Sequence, residues 1–129
     1  MKKEDLILKV LNMLISSDET KEETNAEWSH PLKGKMVIVR ARDAGVHFGE
    51  LVHFEGRVVT LNKARRMHRW WAATEMTLSA VAKHGLNLEK ELRICTEIDN
   101  HVIMDGCEIM PCSDVCIDSF SKVENYNEQ

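Results

Sequence analysis

Three apolar segments joined by tight glycine turns occupy the middle of the chain, and they leave little choice of fold. Met36–Arg42 (Met-Val-Ile-Val-Arg-Ala-Arg) is rich in β-branched residues and reads as a strand. Ala44-Gly45 makes a turn. Val46–Phe54 then alternates, with Val46, Phe48, Val52 and Phe54 on one face and His47, Leu51 and His53 on the other. Glu55-Gly56 is a hairpin signal, and Arg57–Leu61 returns as a third strand. Connections this short allow only antiparallel neighbours, because a parallel pair needs a long crossover. An antiparallel meander follows.

Helical and strand patterns surround this meander. Thr74 can cap a helix over Glu75–His84 with the stripe Leu78, Val81, Ala82, cations Lys83 and His84 in its last turn, and Gly85 as its stop. Leu92–Thr96 reads as a strand. His101–Met110 reads as another, with a turn or bulge at Asp105-Gly106, and Pro111 ends it. Ser113 can cap a short final helix carrying Cys116, Phe120 and Val123 at helical spacing. At the other end, Leu6–Ile15 is apolar almost all round, so a helix there needs a large surface to bury against, another subunit included. Ser16–His30 is acidic and linker-like, with Trp28 as its one large aromatic. The expected organisation is an N-terminal helix and acidic linker over residues 1–30 and one ligand-binding domain over 31–129. The expected fold class is α+β: a small antiparallel sheet with N-terminal, middle and C-terminal helices, in a homo-oligomer.

Chemistry is harder to place. The chain carries no G-x-S-x-G, no P-loop, no G-x-G-x-x-G and no H-E-x-x-H, so no catalytic residue and no cofactor are assigned and the chain reads as a non-enzyme. Ala44–Gly49 holds two glycines, but it joins two strands, whereas a phosphate-cradling loop opens into a helix. Cys95, Cys107, Cys112 and Cys116 read as reduced, mostly buried thiols. A zinc site would need further ligands, and His101 is the only histidine nearby, so no metal is assigned. No apolar run approaches the roughly 20 residues of a membrane span. Lys9 and Asn12 interrupt the N-terminal apolar run, which reads as an amphipathic helix in a cytosolic protein.

The informative segment is Arg65-Arg66-Met67-His68-Arg69-Trp70-Trp71. From Gly56 to Thr74 the chain carries +5 and no acid; its total is −4, leaving −9 elsewhere. Such an acidic body repels long duplex DNA, while a local basic patch suits a compact anion or a short strand. Arginine matches phosphate with a planar fork and tryptophan offers a flat face to a base, so Arg65, Arg66, His68, Arg69, Trp70 and Trp71 are candidate ligand contacts. One tryptophan of such a pair is expected in the core.

The same segment carries a family resemblance. Leu61-Asn62-Lys63-Ala64-Arg65-Arg66-Met67 resembles the Leu-x-Asn-Ala-Arg-Arg-Ile motif of the phage anti-Thoeris sponge proteins, which runs on into aromatic residues. Val37–Arg40 with Ala44–Leu51 is similar to that family's first hairpin, and Glu108-Ile109-Met110-Pro111-Cys112-Ser113 to its Glu-Ile-Ile-Pro-Cys-Thr ending. His68, Arg69 and Ala72 depart from the pattern, which has Trp, an aromatic and Gly there. The resemblance implies sequestration of a cyclic ADP-ribose isomer, or in some members a cyclic trinucleotide, without degradation. It implies a homo-oligomer (dimer or hexamer) acting in the host bacterial cytoplasm. It also implies phosphate contact by Arg65 and Arg66, and further pocket residues at Arg93 and Asp105. A rival expectation is a nucleic-acid-binding phage accessory protein using the same strip.

Overall fold

A computed structural model describes residues 28–126. The chain divides into two units at His30/Pro31. Of the first unit only Trp28–His30 are described, where the Trp28 and His30 rings stack with centroids 5.7 Å apart. The expected N-terminal helix lies outside the described residues.

The second unit is an α+β fold with six strands in one antiparallel sheet and two helices. The meander is present as β1 (Met36–Ala41), β2 (Val46–Glu55) and β3 (Val58–Arg69). Then come α1 (Leu78–His84), β4 (Arg93–Ile94), β5 (His101–Ile103), β6 (Gly106–Pro111) and α2 (Asp114–Ser121). The strand order is β4-β3-β2-β1-β6, with β5 also pairing β3. The two-residue strand β4 and β5 therefore share one edge of the long strand β3, β5 near its start and β4 near its end.

The segment expected as one strand, His101–Met110, is two strands on opposite edges. β5 pairs β3 while β6 pairs β1. In a flat sheet those edges would lie about 19 Å apart, four strand spacings. Only Met104 and Asp105 separate β5 from β6, and they span at most about 11 Å. The sheet must therefore curl until its edges approach. Gly106 marks the closure: its N–H donates to Arg57 O at 2.8 Å. A Cβ there would meet Val59 Cγ2 at 2.9 Å and Arg57 O at 3.1 Å, which is why the position carries glycine.

Curling makes both faces of the sheet buried. The convex face carries Ile38, Phe48 and Met67, which pack with Val81, Cys116 and Phe120 from the two helices, and the Phe48 and Phe120 rings stack at 3.8 Å. The concave face carries Val37, Val39, His47, Leu51, Val59, Leu61 and Ile103, each almost fully buried. The second face of the alternating strand, with its polar His47, is thus interior too.

The helices follow their caps. Thr77, not Thr74, is the N-cap of α1 and accepts the Ala80 N–H at 3.0 Å, so α1 starts later than its periodicity suggested. Gly85 stops it at φ +90 and donates to Val81 O. Ser113 caps α2 as expected, accepting the Cys116 N–H at 3.1 Å, and its hydroxyl donates to Lys83 O at 2.7 Å, which ties α2 to α1. All four cysteines are free thiols, with Cys116 buried and Cys107 exposed. A hydrogen bond with Cys116, together with burial, pushes the Cys112 thiol well above its usual range. No helix among the described residues is long and apolar enough to cross a membrane.

Candidate functional site: the end of the long strand

The basic segment does not follow the third strand; up to Arg69 it is the strand. Strict alternation along β3 would set Leu61, Lys63 and Arg65 on one face. Lys63 breaks that phase. It sits at φ +53, its N–H bonds the Asp99 carboxylate at 2.9 Å, and the pairing slips there from Glu50↔Asn62 to Phe48↔Arg65. This is a β-bulge. Beyond it Arg66, not Arg65, shares the concave face, opposite His47.

The two arginines are thereby separated. Arg65 points to the helix side and is only 7% exposed. Its guanidinium donates to Cys95 O at 3.0 Å, Phe120 O at 3.0 Å and Ile94 O at 3.3 Å. Burial lowers its pKa from the ordinary value, opposed by Glu97. Its donors serve the fold, stitching β3 to β4 and to the end of α2. Arg66 is exposed, at the rim of the concave face.

Past Arg66 the strand ends in a patch of rings and cations. His68 stacks on Tyr126, with centroids 6.1 Å apart and planes 9° from parallel. The Arg93 guanidinium lies 5.2 Å from the Tyr126 ring centroid. Glu91 accepts from Arg93 at 3.2 Å and faces Arg69 at 3.7 Å. Lys90 Nζ lies 5.2 Å from the Trp71 ring centroid, while Trp70 packs against the core. Arg93 Nε is buried with no acceptor. Beside these groups runs a groove of about 370 Å³ lined by Leu88, Lys90, Leu92, Lys122, Glu124 and Tyr126. Its volume is in the range of small-molecule sites.

Asp105 lies elsewhere, in the closure. Its carboxylate accepts the backbone N–H of Asp43 and of Ala44, so it holds the β1–β2 turn against the β5–β6 junction. The residues proposed from sequence thus fall into distinct places. His68, Arg69, Trp71 and Arg93 gather at the strand end, Arg66 sits on the concave rim, Arg65 and Trp70 serve the core, and Asp105 serves a turn.

Lys90, Lys122 and Tyr126 join the patch without any local signal in the sequence. Tyr126 is the chain's only tyrosine, set in a polar stretch, and its N–H bonds Ile94 O at 2.8 Å. Among the described residues no group of three or more His, Cys, Asp or Glu side chains is placed to hold a metal ion.

Residues 34–120 match a family described as a domain of unknown function, DUF6948, and the chain belongs to that family. No curated protein matches. No solved structure matches.

Proposed function

We propose that this DUF6948 protein is a phage anti-defence sponge, which binds a cyclic nucleotide immune signal in the host cytoplasm and holds it without breaking a bond. The signal is a cyclic ADP-ribose isomer or a cyclic oligonucleotide. The observation that carries this reading is the patch at the end of β3, where Arg93 and Lys90 each lie 5.2 Å from the centre of a flat ring beside an open groove. Stacked bases need such faces, and phosphates need cations beside them. The resemblance of the strand motif and its flanking segments to sponge proteins supports the same class of ligand.

A sponge must hold its ligand below the threshold of its effector. Against a micromolar signal that requires nanomolar affinity, about −12 kcal/mol. Charge-assisted contacts from Arg69, Arg93 and Lys122 with stacking on Tyr126 or Trp71 are the means available. A closed pocket would strengthen them, and a second copy of the chain is the proposed lid. The homo-oligomer belongs to this reading.

A thermal-shift screen tests it, using cyclic ADP-ribose isomers, cyclic di- and trinucleotides and short single strands. A ligand that binds only the folded state raises the melting temperature by mass action. The reading expects a shift with a cyclic nucleotide and intact nucleotide recovered after denaturation. A changed product would make the protein an enzyme. Binding that strengthens with strand length would favour the nucleic-acid accessory protein.

A further inference from the structure

We propose that Arg66, His101 and His47 form a second site, at the rim of the concave face, that takes a phosphate-sized oxyanion; it does not depend on the ring-and-cation patch. Three observations converge on it. Arg66 pairs directly across from His47 in the sheet register, and the His47 and His101 rings meet edge to face with centroids 4.9 Å apart. Three neighbouring strands, β2, β3 and β5, thus bring one donor-bearing side chain each to one spot. Among the described residues the Arg66 guanidinium makes no hydrogen bond and no ion pair, so no described carboxylate neutralises it.

His47 supplies the third observation. Its Nε2 lies 2.9 Å from Ala44 O. A carbonyl only accepts, so Nε2 carries the proton and the neutral ring keeps a bare lone pair on Nδ1. That Nδ1 is buried and has no partner. Protonation at Nδ1 would convert the orphaned acceptor into a donor while the Ala44 bond stays intact. An oxyanion at Arg66 favours this change, because it neutralises the guanidinium and attracts charge onto the imidazoles. Three donors from three strands suit a tetrahedral oxyanion better than a planar carboxylate.

The electrostatics of the cluster agree. Burial, then the charge of Arg66, hold the His101 pKa below its ordinary value. Burial is also the main cause holding His47 at about 4, with His101 and Arg66 adding to it. The Ala44 carbonyl and Asp105 oppose the shift, and the Asp105 carboxylate is already engaged by the Asp43 and Ala44 N–H groups. Bound anion raises both histidine values, so binding takes up protons from solvent and tightens as pH falls.

The experiment is a histidine-detected NMR titration of the full chain with inorganic phosphate at several pH values. The expected result is saturable movement of the His47 and His101 ring signals, with affinity rising as pH drops from about 8 to about 6. Arg66→Gln, an exposed position, should weaken it by about tenfold or more. Arg93→Gln should leave it unchanged. His101→Asn provides a second variant that removes one donor without touching the buried ring. Phosphate that moves neither histidine in the wild type overturns the proposal, as does movement that survives Arg66→Gln or is lost in Arg93→Gln.

Discussion

Arg65 and Arg66 are chemically identical neighbours with opposite duties. The Arg65 guanidinium is buried with three carbonyl acceptors around it, and removing it would strip a charged donor from each, leaving Ile94 O with the Tyr126 N–H and Phe120 O with the Val123 N–H. Hydrogen bonds to a charged group are worth about 1.5–3 kcal/mol each, and their losses are not additive. Arg65→Met is therefore expected to cost about 3 kcal/mol or more in urea denaturation, whereas Arg66→Gln should stay within about 0.5 kcal/mol. Equal losses would contradict the burial assigned to the pair. His47 gives a pH signature at the same scale. Its pKa is about 4 in the fold against 6.5 for a free histidine side chain. The unfolded chain then binds the proton more readily, so stability is full above pH 6.5 and falls as pH drops from there toward 4. The loss approaches about 3 kcal/mol at the acid end. His47→Gln should flatten that part of the stability curve relative to the wild type. An unchanged slope would mean that His47 protonates without cost in the fold.

Among the elements, the β3 bulge decides most. One extra residue at Lys63 re-phases the rest of the strand, putting Arg65 and Met67 on the helix side. Deleting Lys63 removes that extra residue, and strict alternation from Asn62 into Ala64 then keeps Arg65 and Met67 on the helix side and Arg66 on the concave face. A cooperative unfolding transition is therefore the expected outcome, read by circular dichroism through a thermal scan. Loss of the transition would mean that the sheet needs the bulge itself and not only the phase it sets. The caps are smaller effects. Ser113→Ala removes both the α2 cap and the bond to Lys83 O, so it should cost about 1–2 kcal/mol, more than Thr77→Ala on the shorter helix at about 1 kcal/mol. Comparing the two variants in one denaturant series checks the order.

For the whole molecule, the proposed ligand class is argued from charge. The chain carries +5 over residues 56–74 within a total of −4, a balance that suits a compact anion better than an extended polyanion. Affinity for a compact cyclic nucleotide should fall modestly with salt, because few phosphates are neutralised, and should not grow when the ligand is replaced by longer oligonucleotides. A steep salt slope with length dependence would instead point to nucleic acid. The proposed homo-oligomer would need exposed apolar surface to bury. Val102 and Met104 are 48% and 70% exposed beside Val58 at the β3–β5 edge. Sedimentation of the wild type against Met104→Glu reads the outcome: dissociation is expected, and an unchanged mass would remove this edge from the interface.

Local periodicity and turn chemistry are written in the sequence, and the features that rest on them were legible there. The meander, its turns, the α1 stop at Gly85 and the α2 cap at Ser113 each depend on residues a few positions apart. The concentration of cations and rings near residue 70 was legible for the same reason. Which of those side chains face outward was settled only by tertiary structure. A single positive-φ residue changed the phase of the strand, and nothing in the spacing of Arg65 and Arg66 reveals that. The three-dimensional fold also split His101–Met110 across two sheet edges and curled the sheet. It brought His101 onto His47, and Tyr126 and Lys90 to the end of β3. Those partners lie tens of residues apart, so no local pattern encodes their meeting; chain closure and the burial of both sheet faces do.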